Sequence, residues 1–234
     1  VEVNALSRLR LLIPIFIIAV IAGALLYKYA STGIADAIDG VIPQTNKSQS
    51  VTLIANPKTS AEKIVNGAKK EAINQVVYNA EYVSIPYPNG DVPASQGACT
   101  EVVIRGLRNA GYDLQKLVHE DMSSNFSRYP RRWGLKGTDS SIDHRRVRNL
   151  MVFFHRKGLD LTVRTDGEYT KTWKPGDIVC WDLNGNGLTH TGILSDVKGS
   201  DGLPMIIHNM GPVAIEQECL TNWKIIGHYR FPRP

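Results

Sequence analysis

The sequence predicts an α+β fold, with helices early in the folded body and an antiparallel sheet after them. Two observations point there. Between residues 59 and 157, apolar side chains recur at three- and four-residue spacing, the period of a half-buried helix. From residue 177 onward the pattern changes to short apolar runs separated by Gly- and Asn-rich turns, which is how strands joined by hairpins read. Helices and strands grouped apart along the chain imply helices packed against an antiparallel sheet.

The chain opens on a different kind of segment. Leu11 to Tyr27 (LLIPIFIIAVIAGALLY) carries no charge, with Arg8 and Arg10 before it and Lys28 after it. It lies at the lower limit of about 17 apolar residues needed to span a bilayer, and Pro14 falls near its start, where a helix tolerates it. The preceding arginines favour a cytoplasmic N-terminus and an exported body. Ala22-Gly23-Ala24 resembles a signal-peptidase site, but the apolar run continues beyond it. Residues 1–29 are therefore expected to be an uncleaved membrane anchor or a cleaved signal. In either case the body is expected in the cell envelope, tethered to the inner membrane and facing the periplasm, or secreted. Residues 30–57 read as a polar linker and 58–234 as the folded domain.

In that domain, Thr59 and Glu62 have capping-box spacing, and Ala61, Ile64, Val65, Ala68, Ala72 and Val76 trace one helical face. Tyr82 to Gly97, with three prolines and an Asn89-Gly90-Asp91 turn, reads as a loop. A second helix should start at or just after Cys99, buried through Val103, Leu107 and Ala110, with Gly111 beyond its end. Residues 119–149 look irregular and basic, and a further helix is expected over Val147 to Lys157. Lys174-Pro175-Gly176-Asp177 reads as a turn, Asp177–Leu183 as a strand, Asn184–Gly187 as a hairpin turn, and Thr189–Val197, Pro204–Asn209 and Ile225–Phe231 as further strands.

With 234 residues, 43% hydrophobic content and a net charge of +5, the body is globular and mildly basic. No zinc-finger spacing, basic helix or aromatic RNA-binding signature appears, so nucleic acid is not an expected partner. The three cysteines, Cys99, Cys180 and Cys219, form no CxxC pair and are too few for a disulfide scaffold. A Cys180–Cys219 disulfide stays open. Cys180 reads as strand packing, and His119, His155 and His228 as packing or surface residues.

Cys99 has the most reactive setting. It closes a Gly-Ala loop where a helix begins, and the free N–H groups and helix dipole there favour thiolate. It could equally be a small buried hydrophobe. A nucleophilic cysteine needs a base, and the base needs an orienting partner. His190 starts a strand beside Gly192, which leaves room around the backbone, and His208 ends the next strand. If the two strands are neighbours, His208 can hold the tautomer of His190. A zinc site built from His190, His208 and Asp182 or Asp196 is a weaker alternative, because no HExxH-like pair is present.

Gly97-Ala98-Cys99-Thr100-Glu101, then KPGDIV, then His190-Thr191-Gly192-Ile193, then Ile206-Ile207-His208 resembles the NlpC-like papain-fold peptidases. YPNGDVP, LQKLVHEDM, IDHRR and GHYRF further resemble a bacterial family of unknown function, number 1287, in that clan, over roughly residues 60–232. The resemblance implies a papain-like NlpC-type fold and a catalytic Cys99–His190–His208 set. Asn209 is the alternative third residue, because Asn orients the histidine in papain-like sites. It implies amide hydrolysis through an acyl-enzyme, with peptidoglycan peptides as the substrate class and no metal or organic cofactor. The pattern also departs from the clan, with Ala98 where Asp is usual before the nucleophile and a longer His190–His208 interval. Tyr87 fits the place of a substrate-facing tyrosine. Residues 119–157 carry nine Lys and Arg against four acids, so Arg145 and Arg146 are candidates to bind a peptide carboxylate, or else to pair with neighbouring acids. A catalytically silent cell-wall or partner-binding module on the same fold is the competing functional reading.

Overall fold

The computed structural model describes residues 50–130, 134 and 136–233. The anchor-or-signal segment 1–29 and residues 30–49 of the expected linker lie outside the described residues. Among the described residues, no helix is long and apolar enough to cross a membrane.

Helix α1 (Ser60–Ile73) starts with the predicted capping box. Thr59 Oγ1 accepts from the Glu62 amide, while the Glu62 carboxylate accepts from the Thr59 amide at 2.8 Å. The folded body begins earlier than its sequence suggests. Val51 and Ile54 pack on the core, Ile54 exchanges two hydrogen bonds with the Asn66 side chain, and buried Lys69 donates to the Thr52 carbonyl. The last residues of the expected linker are thus an arm docked on α1. A two-stranded parallel pair, β1 (Val77–Tyr78) and β2 (Gln96–Gly97), brackets the predicted proline-rich loop. Helix α2 (Cys99–Asn109) follows.

Helix α3 (Leu114–Ser124) is the main departure from expectation, since it extends into the segment read as irregular. Its Asp113 cap accepts from the Lys116 amide, and Leu114, Val118 and Met122 bury one stripe four residues apart. The basic residues beyond its C-terminus mask this period in the sequence. Helix α4 (Val147–Lys157) lies where predicted and buries Leu150, Phe153 and Phe154.

The sheet is antiparallel, as predicted, and has six strands. In chain order these are β3 (Leu159–Asp160), β4 (Ile178–Asp182), β5 (Thr189–Lys198), β6 (Pro204–Asn209), β7 (Ala214–Gln217) and β8 (Lys224–Arg230), arranged in space as β3-β8-β4-β5-β6-β7. Both faces of its centre are buried. Ile178, Cys180, Ile193 and Ile207 face the helices, while Val179, Trp181, Leu194 and Ile206 join Trp173, Leu203, Cys219 and Leu220 on the far side. Cys180 and Cys219 therefore belong to opposite sides of the sheet. All three thiols are free, so the Cys180–Cys219 disulfide is not formed.

The KPGD turn sets where this sheet begins. The Asp177 carboxylate accepts from the Lys174 amide, closing the turn, and from His228 Nε2 at 3.0 Å and both Nε and Nη2 of Arg230, tying β8 to the start of β4. Gly176 adopts φ +84°, and a Cβ there would meet the Ala61 backbone at 3.0 Å, so both conformation and space require glycine. Trp173 stacks on His228 at 3.7 Å. His228 is structural, as its sequence setting suggests. Removing the Asp177 carboxylate leaves the Arg230 and His228 donors without their acceptor. Asp177→Ala is expected to lower unfolding free energy by about 3–5 kcal/mol, read as a reduced urea midpoint with an unchanged slope.

Candidate functional site

Cys99 is the first residue of α2, as the sequence predicts. The N-cap, Ala98, is extended and has no side chain to cap with, so the end of the helix is held from within. Glu101 reaches back so that one carboxylate oxygen accepts from the Ala98 amide at 2.7 Å, and its other oxygen accepts from Arg145 Nε at 2.6 Å. Gly97 permits this, because a Cβ there would lie 2.7 Å from Glu101 Cβ. The backbone N–H groups of Thr191, Thr100 and Cys99 itself lie close enough to the Cys99 sulfur to lower its proton affinity. Free N–H groups thus do converge on the thiol. They do not dominate its chemistry: burial pushes the thiol up to about 12, against the lowering effect of those amides. The expectation of a thiol acidified by its helix is corrected in this respect. The resting sulfur is protonated.

Thr191, whose amide meets the sulfur, directly follows His190. On β5, Ile193 and Leu194 pair with Ile207 and Ile206 of β6, but Thr191 and His190 pair only with β4. The β5–β6 ladder is open at this end, where the Thr191 amide lies near the Cys99 sulfur. Among the described residues, no hydrogen bond joins the Cys99 sulfur to the His190 ring.

His190 and His208 do meet. His190 Nε2 lies 2.9 Å from His208 Nδ1, and both rings are buried. Gly192 makes this possible, since a Cβ there would sit 2.7 Å from Ile206 Cγ2 and 3.2 Å from His208 Cβ. The His190 ring stacks on Trp181, its cross-strand neighbour, at 5.7 Å, and Trp223 lies edge-on to both histidines. Trp181 is fixed by its own bond from Nε1 to the Leu220 carbonyl. Behind His208, Cys219 Sγ lies 3.6 Å from Nε2, so both nitrogens of His208 have partners. Burial holds His208 down to about 4, and burial together with His208 holds His190 well below the ordinary histidine range. Both rings are neutral at rest. Among the described residues, no hydrogen bond is made by His190 Nδ1; the His208 contact is made through Nε2.

Asn209 does not bond His190. Its amide donates to the carbonyls of Val76 and Gly97, and its oxygen accepts from the Gly211 amide. It therefore clamps β6 to the segment that delivers Cys99. Arg145 is not open to a substrate carboxylate. Its side chain is 3% exposed, and it is consumed by Glu101 and the Glu81 carbonyl. Arg146 stands beside Asp143 and lowers its proton affinity against burial. Tyr87 sets its ring edge-on against His119 of α3, outside the Cys99–His190–His208 set. The tyrosine that feels Cys99 is Tyr78 of β1, half-exposed and with its hydroxyl pushed up by burial, then by Cys99 and Glu101. Asp182 accepts from the Gly187 amide and Asp196 pairs with Lys69, so neither completes a zinc site with the two histidines.

Sequence reasoning missed Trp181, Trp223, Cys219 and Tyr78. Trp181 was recoverable, because the Asn184–Gly187 turn places it opposite His190. Cys219 and Trp223 approach from a segment with no regular period.

The family described as "Domain of unknown function (DUF1287)" matches residues 65–231. The chain is 48% identical over 168 residues to the "Uncharacterized protein YijF" of Escherichia coli (strain K12), covering 72% of this chain and 80% of that protein. No solved structure matches.

Arg145→Ala is expected to cost about 3–5 kcal/mol of stability, because it strands the buried Glu101 carboxylate; urea unfolding measures it, and a loss confined to ligand affinity would contradict the assignment. The buried histidines also set a pH dependence. An unfolded chain takes up protons on histidine near pH 6.5, whereas His208 and His144 refuse them until about 4 and His190 resists likewise. Their neutral burial is compatible with full stability above about pH 6.5 and works against the fold progressively toward pH 4. The urea midpoint should fall across that interval, and His208→Phe should reduce the slope of the fall.

Proposed function

The chain belongs to the DUF1287 family, and we propose that it is an exported cysteine hydrolase of NlpC-like papain fold that cleaves an amide bond in peptidoglycan peptides. The observation that carries the reading is the His190 Nε2–His208 Nδ1 bond beside an open end of the β5–β6 ladder, where the thiol that starts α2 meets the residue after His190. This leaves a nucleophile, a base with one committed and one uncommitted nitrogen, and an orienting partner.

In this mechanism Cys99 Sγ attacks the amide carbonyl as its proton passes to His190 Nδ1. Negative charge develops on the carbonyl oxygen, and backbone N–H groups at the start of α2 stabilise it. The tetrahedral species collapses as His190 returns the proton to the leaving amine, giving a thioester. Water, deprotonated by His190, then releases the acid and restores the thiol. His208 holds the ring of His190, and Trp181 and Trp223 keep water from the pair. Export rests on the apolar segment 11–27, which tethers the domain or is cleaved. Peptidoglycan as substrate rests on the motif resemblance to the NlpC-like peptidases and on that export.

A catalytically silent wall-binding module is the second reading, favoured by the protonated Cys99 thiol. Purified peptidoglycan incubated with the protein separates the two. The hydrolase releases soluble peptides, Cys99→Ala and His190→Ala reduce release at least 100-fold, and chelator has no effect, in line with general-base contributions of about 10²–10⁴. Co-sedimentation with the wall and no release by the wild type would favour the module, and full activity in Cys99→Ala would remove the nucleophile assignment.

A further inference from the structure

The two histidines do not end their hydrogen-bonded chain. His208 Nε2 meets Cys219 Sγ at 3.6 Å, and Cys219 is buried among Trp181, Leu220 and Leu203 on the far side of the sheet. A neutral imidazole carries one N–H and one lone pair, so its two contacts must run in the same direction. Only two proton arrangements therefore satisfy the chain. If Cys219 donates to His208, then His208 donates to His190 from Nδ1, and His190 presents an N–H at Nδ1. That tautomer cannot take a proton from Cys99. If Cys219 accepts, the chain reverses: His208 carries its proton on Nε2, its Nδ1 accepts from His190 Nε2–H, and His190 Nδ1 presents a lone pair.

The surroundings favour the second arrangement at both ends. Backbone N–H groups already surround the Cys99 sulfur, and in the hydrolase reading His190 Nδ1 must take that sulfur's proton, which a lone pair there can do and a further N–H cannot. At the other end, Cys219 Sγ lies 3.6 Å from His208 Nε2, and against the raising effect of burial the Gln217 side chain acts on that sulfur as a donor would. An S–H is a weak donor, so leaving it unpaired costs less than leaving an imidazole N–H unpaired. Among the described residues, no carboxylate hydrogen-bonds either ring to impose a direction instead. The ionisable groups near the chain are Glu101 and Tyr78 beside Cys99, with Cys180 behind it.

We propose that Cys219 is a positioning residue whose sulfur accepts the Nε2–H of His208 and so fixes His190 in the tautomer that can act as base at Nδ1. It acts through His208 and touches no substrate. The inference rests on the Cys99–His190 hydrolase reading and adds a fourth member to it.

Two measurements on the full chain test it. In ¹⁵N-histidine-labelled wild type, long-range ¹⁵N–¹H spectra should show His190 and His208 both protonated at Nε2; protonation of both at Nδ1 would overturn the proposal without any variant. The second is the rate at which iodoacetamide alkylates Cys99, mapped by peptide mass analysis and followed from pH 5 to 9. Cys219→Ala should slow alkylation at pH 7 by about tenfold, a fraction of the ~10²–10⁴ of a full general base, and move the pH profile alkaline. Cys219→Ser, which keeps an acceptor, should recover the profile. Cys219→Val, which fills the site without an acceptor, should behave as Cys219→Ala and serves if that variant does not fold. An unchanged or faster rate in a folded Ala or Val variant would overturn the assignment, whereas a lowered melting temperature alone would mark packing only. Expected tautomers with no peptide release would count against the hydrolase, and reversed tautomers with intact release would count against Cys219 alone.

Discussion

The Glu101 carboxylate, fully buried in the first turn of α2, is the constraint on which the site depends. A lone carboxylate in that position would cost several kcal/mol. Arg145 neutralises it from the 3₁₀ turn Asp143–Arg145, and the Ala98 amide takes the other oxygen. One side chain thus does the work that an N-cap and an inter-segment tie would otherwise share. It fixes Ala98, hence the place of Cys99, and it fixes α2 against the segment leading into α4. Arg105 does the corresponding work one turn later. It pairs with Glu71 and Asp91 and donates to the carbonyls of Val92, Pro93 and Gln96, which shapes the long loop into β2.

The second constraint is the sheet. Because both faces are covered, a residue on β5 can be reached from either side, and the site uses both. The thiol arrives with the helices, while the histidines sit with Trp181, Trp223 and Cys219 on the far side. In the proposed reaction they would meet where the β5–β6 ladder stops, next to Thr191. Asn209 holds that opening. Its side chain spans Val76 and Gly97, so β6 bonds to the incoming loop where it no longer bonds to β5.

How much of this is legible in the sequence depends on the range of each interaction. The Thr59–Glu62 cap, the start of α2 at Cys99, the KPGD turn and the hairpin before His190 are local and can be read from spacing alone. The pairing of His190 with His208 needs only that two successive strands be neighbours. Arg145 is misleading in sequence, because a basic composition does not reveal that Glu101, 44 residues earlier, waits in the core. Tyr87 stands at a suitable distance from Cys99 along the chain, but the loop carries it to His119 and leaves Tyr78 near the thiol. The acidity of Cys99 misleads for a related reason. A helix start is visible in sequence, but the depth at which it is buried is not, and here burial outweighs the dipole.

That last point bears on how the proposed chemistry must run. Burial raises the Cys99 thiol to about 12 and holds His190 well below the ordinary histidine range, so moving a proton from sulfur to nitrogen at rest runs against both groups. A separate ion-pair step would carry that cost before any bond to carbon had formed. The lower route makes the C–S bond as the proton leaves, so that charge passes to the carbonyl oxygen instead of accumulating on a buried sulfur. The amides at the start of α2 then act on the oxyanion, where negative charge develops, and weigh less on the neutral resting thiol.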